Sequence, residues 1–199
     1  LSQTEIIDHI FGGLADTGPD RGRAALLKGV PTILAPGNAD FIIGGPANIG
    51  QGWRMLVEQL SVGRCISLPS STTGGSKAAS FAVGAYGRIR RQFNTSVGRF
   101  EGVEHVVARI VGNTYIMDAA RSVTIGAIDG GENPSVPAGI LKYHVTEMGR
   151  MIADDAMDVQ GGKGIMLGPK NYIGRAYQMI PVSITVEGAN ILTRSLIIF

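Results

Sequence analysis

From Gly50 onward, apolar residues recur every three or four positions over long intervals, and this rhythm limits the chain mostly to helices that bury one face. Trp53, Leu56, Val57, Leu60 and Ile66 form such a stripe, with Arg54 and Glu58 outside it. The spacing predicts a first long helix that breaks or kinks at Ser70-Ser71-Thr72-Thr73-Gly74-Gly75 and resumes over Lys77 to Phe93, where small residues suit close helix contacts. A second helix follows over Glu104 to Asp129, with Val107, Ile110, Val111, Thr114, Met117 and Arg121 on adjacent turns and Gly130-Gly131 at its end. Pro134 or Pro137 opens the next, because a first-turn proline lacks only an N–H that has no helical partner. That helix runs through Leu141, Val145, Met148 and Ile152 to about Met157, and Gly161 to Pro181 reads as mostly irregular. Asn190 suits an N-cap for Ile191 to Phe199, since its short side chain accepts from a free first-turn N–H. About four helices without an internal repeat make a helical bundle.

The leading segment is of another kind. Gly12-Gly13, Gly18-Pro19, Gly22, Gly29, Pro31, Pro36 and Gly37 exclude a long helix after the first ten residues. Leu1 to Ile10 fits one short helix and Val30 to Leu34 one short strand. Residues 1–45 are therefore read as an irregular or β-rich remnant with a linker, and residues 46–199 as the helical domain. The sequence opens without Met and stops inside Leu196-Ile197-Ile198-Phe199, so the natural protein is expected to continue at both ends.

Composition narrows the function. With 44% hydrophobic and 17% charged residues the chain is globular, and its 18 Lys and Arg are scattered apart from Arg88, Arg90 and Arg91. A nucleic-acid partner is not expected from a net charge of +2 without a basic face, whereas a small anionic ligand is compatible with it. The lone Cys65 excludes an intrachain disulfide and points to a reducing, cytoplasmic setting, and no Cys and His spacing suggests a metal. Apolar runs fall short of the roughly 20 residues of a membrane helix, which leaves surface association with a membrane open. His9, His105 and His144 lack a recognisable Ser or Cys partner and read as surface or packed histidines. Met148, Met151, Met157 and Met166 read as core or pocket filler, core before pocket, and Trp53 as a packing anchor.

Three segments carry chemistry. Val186-Glu187-Gly188-Ala189-Asn190 sets a carboxylate before a glycine and a helix start in apolar surroundings. Such a Glu is either a carboxylate favoured by the helix dipole or a desolvated base. Arg90-Arg91-Gln92-Phe93 is either a cationic helix end or a phosphate-binding group, since a guanidinium fork matches phosphate oxygens. Gly161-Gly162-Lys163-Gly164 is either a turn or a place where a dinucleotide approaches exposed backbone N–H groups.

Taken in this order, the long helices, Arg90-Arg91-Gln92-Phe93, the Gly161-Gly162-Lys163-Gly164 turn and the terminal Glu187-Gly188 pair are similar to the C-terminal domain of acyl-CoA dehydrogenases. The resemblance covers about residues 40 to 199 and is closest to the large bacterial long-chain type. It implies a mainly α fold, the C-terminal four-helix bundle of that family, and α,β-dehydrogenation of fatty acyl-CoA to trans-2-enoyl-CoA in β-oxidation with FAD as cofactor. It also implies electron-transfer flavoprotein as acceptor and a homodimer or larger assembly. An acyl-CoA oxidase of the same fold and a non-catalytic helical scaffold are the alternatives.

Residue by residue, the resemblance makes Glu187 the base that takes the α-proton, with its backbone N–H on the thioester carbonyl. It places Gly188 and Arg64 at the substrate, Arg64 near the CoA nucleotide, although Arg64 also reads as a solvated helix arginine. Arg90 is implied to pair with the pyrophosphate of the adjacent subunit's flavin, with Gln92 and Phe93 beside it. Asp158, Gly161 and Gly162 are implied to reach the flavin dinucleotide from the neighbouring subunit, with Asp158 standing where most relatives carry Gln. Ala189 replaces the usual Thr, and Asn190 is the substitute for that hydroxyl. Some relatives carry the base just before the arginine matched by Arg64, where this chain has Gly63. An N-terminal helical domain and most of a β-domain are missing on this reading, so the 199 residues alone are expected to be inactive.

Overall fold

The computed structural model describes the backbone of residues 51–196 and side chains between 63 and 195. The expected N-terminal helix and strand, the 1–45 segment, His9 and the Trp53 to Leu60 side chains lie outside it. The chain divides into two units, Leu1–Gln59 and Leu60–Phe199, and the described side chains all belong to the second.

Six helices occupy the described residues: α1 Gly52–Ile89, α2 Glu101–Asp129, α3 Ser135–Gln160, α4 Gly162–Ile165, α5 Tyr172–Thr185 and α6 Asn190–Leu196. Four of them share one core, in which Ala79 and Val83 of α1 meet Ile110 and Met117 of α2, Val145 and Ile152 of α3, and Ile173 of α5. A forked ion pair fixes α2 to α3, with Arg109 Nε and Nη2 donating to the two oxygens of the nearly buried Asp155 at 2.8 and 2.5 Å. The expected helical bundle is the observed fold.

Helix α1 runs unbroken for 38 residues, through Pro69 and through the Ser70 to Gly75 stretch where a kink was expected. Pro69, Thr73 and Ser76 are buried. Gly149 of α3 leaves no room for a Cβ because Thr72 Cγ2 occupies that space. These small residues therefore mark where two helices cross closely rather than where one ends.

The other end of α1 also departs from expectation, because the helix stops at Ile89 instead of continuing to Phe93. Arg91–Gln92 and Thr95–Ser96 pair antiparallel as β1 and β2, in register Arg91 with Ser96 and Gln92 with Thr95. Phe93 and Asn94 both have positive φ, 49° and 61°, the conformation of the type I′ turn that matches strand twist. The hairpin folds back where Gly98 lies against Gly87, and a Cβ on Gly98 would stand 2.9 Å from the Gly87 carbonyl oxygen. Such backbone contact cannot coexist with a continuing helix.

Helix α2 ends as expected at Gly130-Gly131. Gly131 takes φ 85°, and the Glu132 N–H reaches back to the Ala127 carbonyl at 3.0 Å. Pro134 and Pro137 flank the start of α3. Gly161 to Pro181, read as mostly irregular, instead contains α4 and the 14-residue α5, with Pro181 inside its last turn. Buried Asn171 makes this possible: its Oδ1 accepts the Gly174 N–H at 2.8 Å, and its Nδ2 donates to the Gly164 and Met166 carbonyls at 2.5 and 3.1 Å. Gly174, a breaker by sequence, is a packing glycine whose Cβ would stand 2.6 Å from Gly164 O.

Among the singled-out methionines, Met148 and Met157 pack against the core, whereas Met151 and Met166 are exposed, contrary to a filler role. His105 and His144 are exposed and Cys65 is buried. Among the described residues no helix is long and apolar enough to cross a membrane.

The close crossing of α1 and α3 yields a test. Gly149→Ala should destabilise the chain by roughly 1–3 kcal/mol, the usual cost of overpacking, and Thr72→Ala should recover part of the loss. Urea unfolding of the two single variants and the double variant checks this, and independent effects would refute the crossing.

Candidate active site

The turn between α5 and α6 brings Glu187 back against Gly63, Arg64 and Ser67 of α1. Glu187 and Gly188 both have positive φ, 55° and 92°, which is ordinary for glycine and uncommon for Glu. Gly188 is needed twice over, because a Cβ there would also stand 2.8 Å from Arg64 Nη2 and 3.3 Å from Thr193 Oγ1.

Two buried cations hold this turn. Arg64 Nε donates to the Glu187 carbonyl at 2.7 Å, and Lys142 Nζ donates to the Gly188 carbonyl at 2.8 Å. Arg64 is 8% exposed and Lys142 fully buried. Burial lowers the Arg64 pKa, opposed by the charge of Glu187. Lys142 is pushed down to about 8, by burial first and then by Arg64, against the pull of Glu187 and Glu147. Asn190 completes the cage: its Oδ1 accepts from Lys142 at 2.6 Å, and its Nδ2 donates to Thr146 Oγ1 at 2.9 Å and Glu147 Oε1 at 2.8 Å.

The Glu187 carboxyl is served sparsely. Its Oε1 accepts from the Ser67 hydroxyl at 2.5 Å, while Oε2 is buried with no hydrogen-bond partner among the described residues. Gly63 lies beside it, since a Cβ at position 63 would be 3.8 Å from Oε1. The backbone N–H of Glu187 donates to no group among the described residues.

The structure thus gathers Glu187, Gly188, Arg64 and Asn190 at one place. Arg64 is not a solvated arginine. Asn190 spends its side chain on Lys142, Thr146 and Glu147, instead of capping α6 as expected, which leaves it no free donor for a flavin. Sequence reading missed Lys142 and Ser67. Lys142 stands among Leu141, Val145 and Thr146 on the buried face of α3, and a lysine in an apolar stripe was the available signal.

The remaining candidates lie elsewhere. Arg90, Gln92 and Phe93 are exposed at the far end of α1, about 35 Å from Ser67 at the helical rise of 1.5 Å per residue. Tyr86 Oη donates to Gln160 O at 3.3 Å, so the Gly161-Gly162 turn shares that end of the bundle. Gly161 has φ 54° and no atom crowds a Cβ at Gly161 or Gly162, but the Gly161 N–H expected to be exposed closes on the Met157 carbonyl at 2.8 Å. Arg90 makes no ion pair among the described residues. Asp158 is exposed, and its charge reinforces that of Asp155 in raising the Arg109 pKa, so the extra carboxylate has a cation nearby. A cavity of about 280 Å³ between α1, α3 and α5, lined by Gly75, Ala79, Gly149 and Ile152 among others, includes none of these candidates. Among the described residues no cluster of His, Cys, Asp and Glu is suited to a metal.

Comparison with known proteins places this geometry. The family model of the acyl-CoA dehydrogenase C-terminal domain matches residues 50–198, and the chain belongs to this family, which uses FAD. A model of an uncharacterised protein family (UPF0261) C-terminal domain matches residues 1–51, so the leading segment resembles a different family. The probable acyl-CoA dehydrogenase FadE10 of Mycobacterium tuberculosis is 27% identical over 143 residues, 71% of this chain and 22% of that protein. A protein HemX of Proteus mirabilis is 57% identical over 68 residues, 34% of each. The acyl-CoA dehydrogenase of Geobacillus kaustophilus shares the fold with a TM-score of 0.70 and 24% identity, over 75% of this chain and 39% of that structure. The chain thus spans about a third or less of these two curated relatives.

Lys142 gives the site a pH signature. A buried ammonium whose pKa falls from 10.5 to about 8 burdens the folded state while it is charged, because the unfolded chain then holds the proton more tightly. Stability relative to Lys142→Met should therefore rise as pH increases from about 8 to 10.5. Denaturant melts of both proteins across that range test it, and parallel curves would refute it.

Proposed function

We propose that this chain supplies the base and part of the cofactor-binding surface of a flavin-dependent enzyme that converts fatty acyl-CoA to trans-2-enoyl-CoA. The observation that carries the reading is the environment of Glu187. Among the described residues its carboxyl has one hydrogen-bond donor and one unpartnered buried oxygen, beside a backbone N–H that has no partner and could bind a thioester carbonyl. The unpartnered oxygen can receive a proton without displacing a hydrogen bond, which suits a group that must take a proton from carbon. Position 63, where some relatives are expected to carry the base, faces the same carboxyl.

FAD, which Arg90 and the Gly161-Gly162 turn would help to hold, would supply a hydride acceptor for the β-hydrogen. Glu187 takes the α-proton on its carboxyl, and its amide hydrogen offsets the charge growing on the thioester oxygen. Arg64 and Lys142 hold the turn so that amide and carboxyl keep one relative placement. At the other end of the bundle the exposed Arg90 suits a pyrophosphate and the uncrowded glycines Gly161 and Gly162 let a dinucleotide edge approach, with Gln92 and Phe93 alongside.

Because that end is about 35 Å from Glu187, the two surfaces serve different flavins, and the active species is a dimer or larger. Phe81, Ile89 and Phe93, each at least 78% exposed, offer apolar surface for such an assembly. Electron-transfer flavoprotein is the proposed acceptor. Only the C-terminal domain of the family is matched, so the 199 residues alone should neither hold flavin tightly nor turn over.

In the intact protein, Glu187→Gln preserves volume and backbone N–H, so flavin content and acyl-CoA binding should persist. Anaerobic bleaching of the flavin by acyl-CoA should slow by about 10⁴-fold or more, at or beyond the upper end for a lost general base. Bleaching at the wild-type rate would remove Glu187 from the mechanism. Arg90→Ala should weaken flavin retention with helix content unchanged, and a fully flavinated monomer by light scattering would contradict the shared site.

A further inference from the structure

Ser67 stands in a position that the family resemblance did not single out. Its hydroxyl lies 2.5 Å from Glu187 Oε1 and 2.9 Å from the Gly63 carbonyl oxygen, one turn back on its own helix. Both neighbours are acceptors when Glu187 is ionised, and a hydroxyl has one hydrogen to give. The ionised carboxylate is the stronger claimant, because a charge-assisted hydrogen bond is roughly twice as strong as a neutral one. Once the carboxyl is protonated that advantage disappears, and the hydroxyl is free to turn its hydrogen to Gly63 O while its own oxygen accepts from the acid. Gly63 O has this second partner ready through a plain χ rotation, since residues one helical turn apart lie on the same face.

We propose that Ser67 is a positioning residue for the base: it holds the Glu187 carboxylate through Oε1 before proton transfer and turns to Gly63 O when the proton has arrived. The proposal rests on the reading of Glu187 as the base. Ser67 is the sole hydrogen-bond donor to that carboxyl among the described residues, with Oε2 unpartnered. The charged groups coupled to the carboxyl are Arg64 of α1 and Lys142 of α3, while Glu147 acts on Lys142 and bonds Asn190, and Asn190 and Thr193 of α6 are uncharged. Arg64 and Lys142 act on the carboxylate by charge and bond the backbone carbonyls of the turn. Directional control of the carboxyl is therefore left to the Ser67 hydroxyl.

The experiment compares wild type, Ser67→Ala, Ser67→Thr and Glu187→Gln in the intact flavin-loaded protein. Infrared difference titration follows the carboxyl band that disappears in Glu187→Gln, and anaerobic flavin bleaching by acyl-CoA follows the rate, both below the pH at which Lys142 discharges. Alanine removes the bond that favours the ionised form, so the titration midpoint and the acid limb of the rate should move up by roughly half to one pH unit. Threonine keeps the hydroxyl and should hold both at the wild-type position. Ser67 sits on an exposed face of α1 where alanine favours the helix, so folding is expected to survive.

An unmoved midpoint in Ser67→Ala overturns the proposal, and so does an equal shift in Ser67→Thr, which would trace the effect to shape and not to the hydroxyl. A folded Ser67→Ala protein that never bleaches at any pH also overturns it, because a lost hydrogen bond of this size displaces the limb without abolishing the reaction. If Glu187→Gln bleaches normally, the base assignment fails instead, and the infrared midpoint still reports on Ser67 and Glu187 separately.

Discussion

The bond pair from Arg64 and Lys142 to the carbonyls of Glu187 and Gly188 is the constraint on which the site depends. Positive φ at two successive residues turns both carbonyls inward, and among the described residues, without the two cations, the Glu187 carbonyl would have no donor and the Gly188 carbonyl would keep only the Thr193 hydroxyl. The cations in turn are tolerable inside the bundle because those carbonyls, Asn190 and the charges of Glu187 and Glu147 answer them. Lys142 links α3 to the start of α6, and Arg64 links α1 to the end of α5. The position of one carboxyl thus follows from helices that are remote in sequence.

Much of the fold is legible in the sequence, and the failures have physical causes. The apolar rhythm locates α2 and α3 to within a few residues, because each buries one stripe and is bounded by glycine or proline. The kink expected near Ser70 to Gly75 and the irregular stretch expected around Gly174 share one error. Small residues read as local breakers in one dimension, whereas Gly149 and Gly174 show that they permit close approach of another helix or carbonyl. The hairpin after Ile89 is hidden because Phe93 gives no turn signal, and only the Gly87 and Gly98 contact reveals it.

The site is half legible for a related reason. Glu187, Gly188 and Arg64 stand out as residue types, and the structure brings them together across more than a hundred positions of sequence. Lys142 gives a fainter signal, its place within the apolar stripe of α3, where a lysine is more often a solvated neighbour. Asn190 is identifiable but its task is not, because a side chain that suits an N-cap equally suits a buried lysine. Ser67 carries no signal in one dimension. Only the return of the α5–α6 turn to α1 gives its hydroxyl a partner.

The unbroken course of α1 fixes more than length. One residue of an α-helix advances the chain by 1.5 Å and rotates it by about 100°. Arg64 and Ser67 at one end and the hairpin at the other are therefore locked in rotational phase, with the Thr72 and Gly149 crossing as the fixed bearing between them. A single insertion anywhere between Ser76 and Ile89 would turn Arg90 and the hairpin by about 100° around the axis of α1 while leaving Glu187 untouched. The α2–α3 connection carries no such phase, whereas Asn171 ties the α4–α5 connection down locally. Evolution of this domain is thus free to change the α2–α3 loop, whereas the length of α1 is a quantity the two ends must agree on.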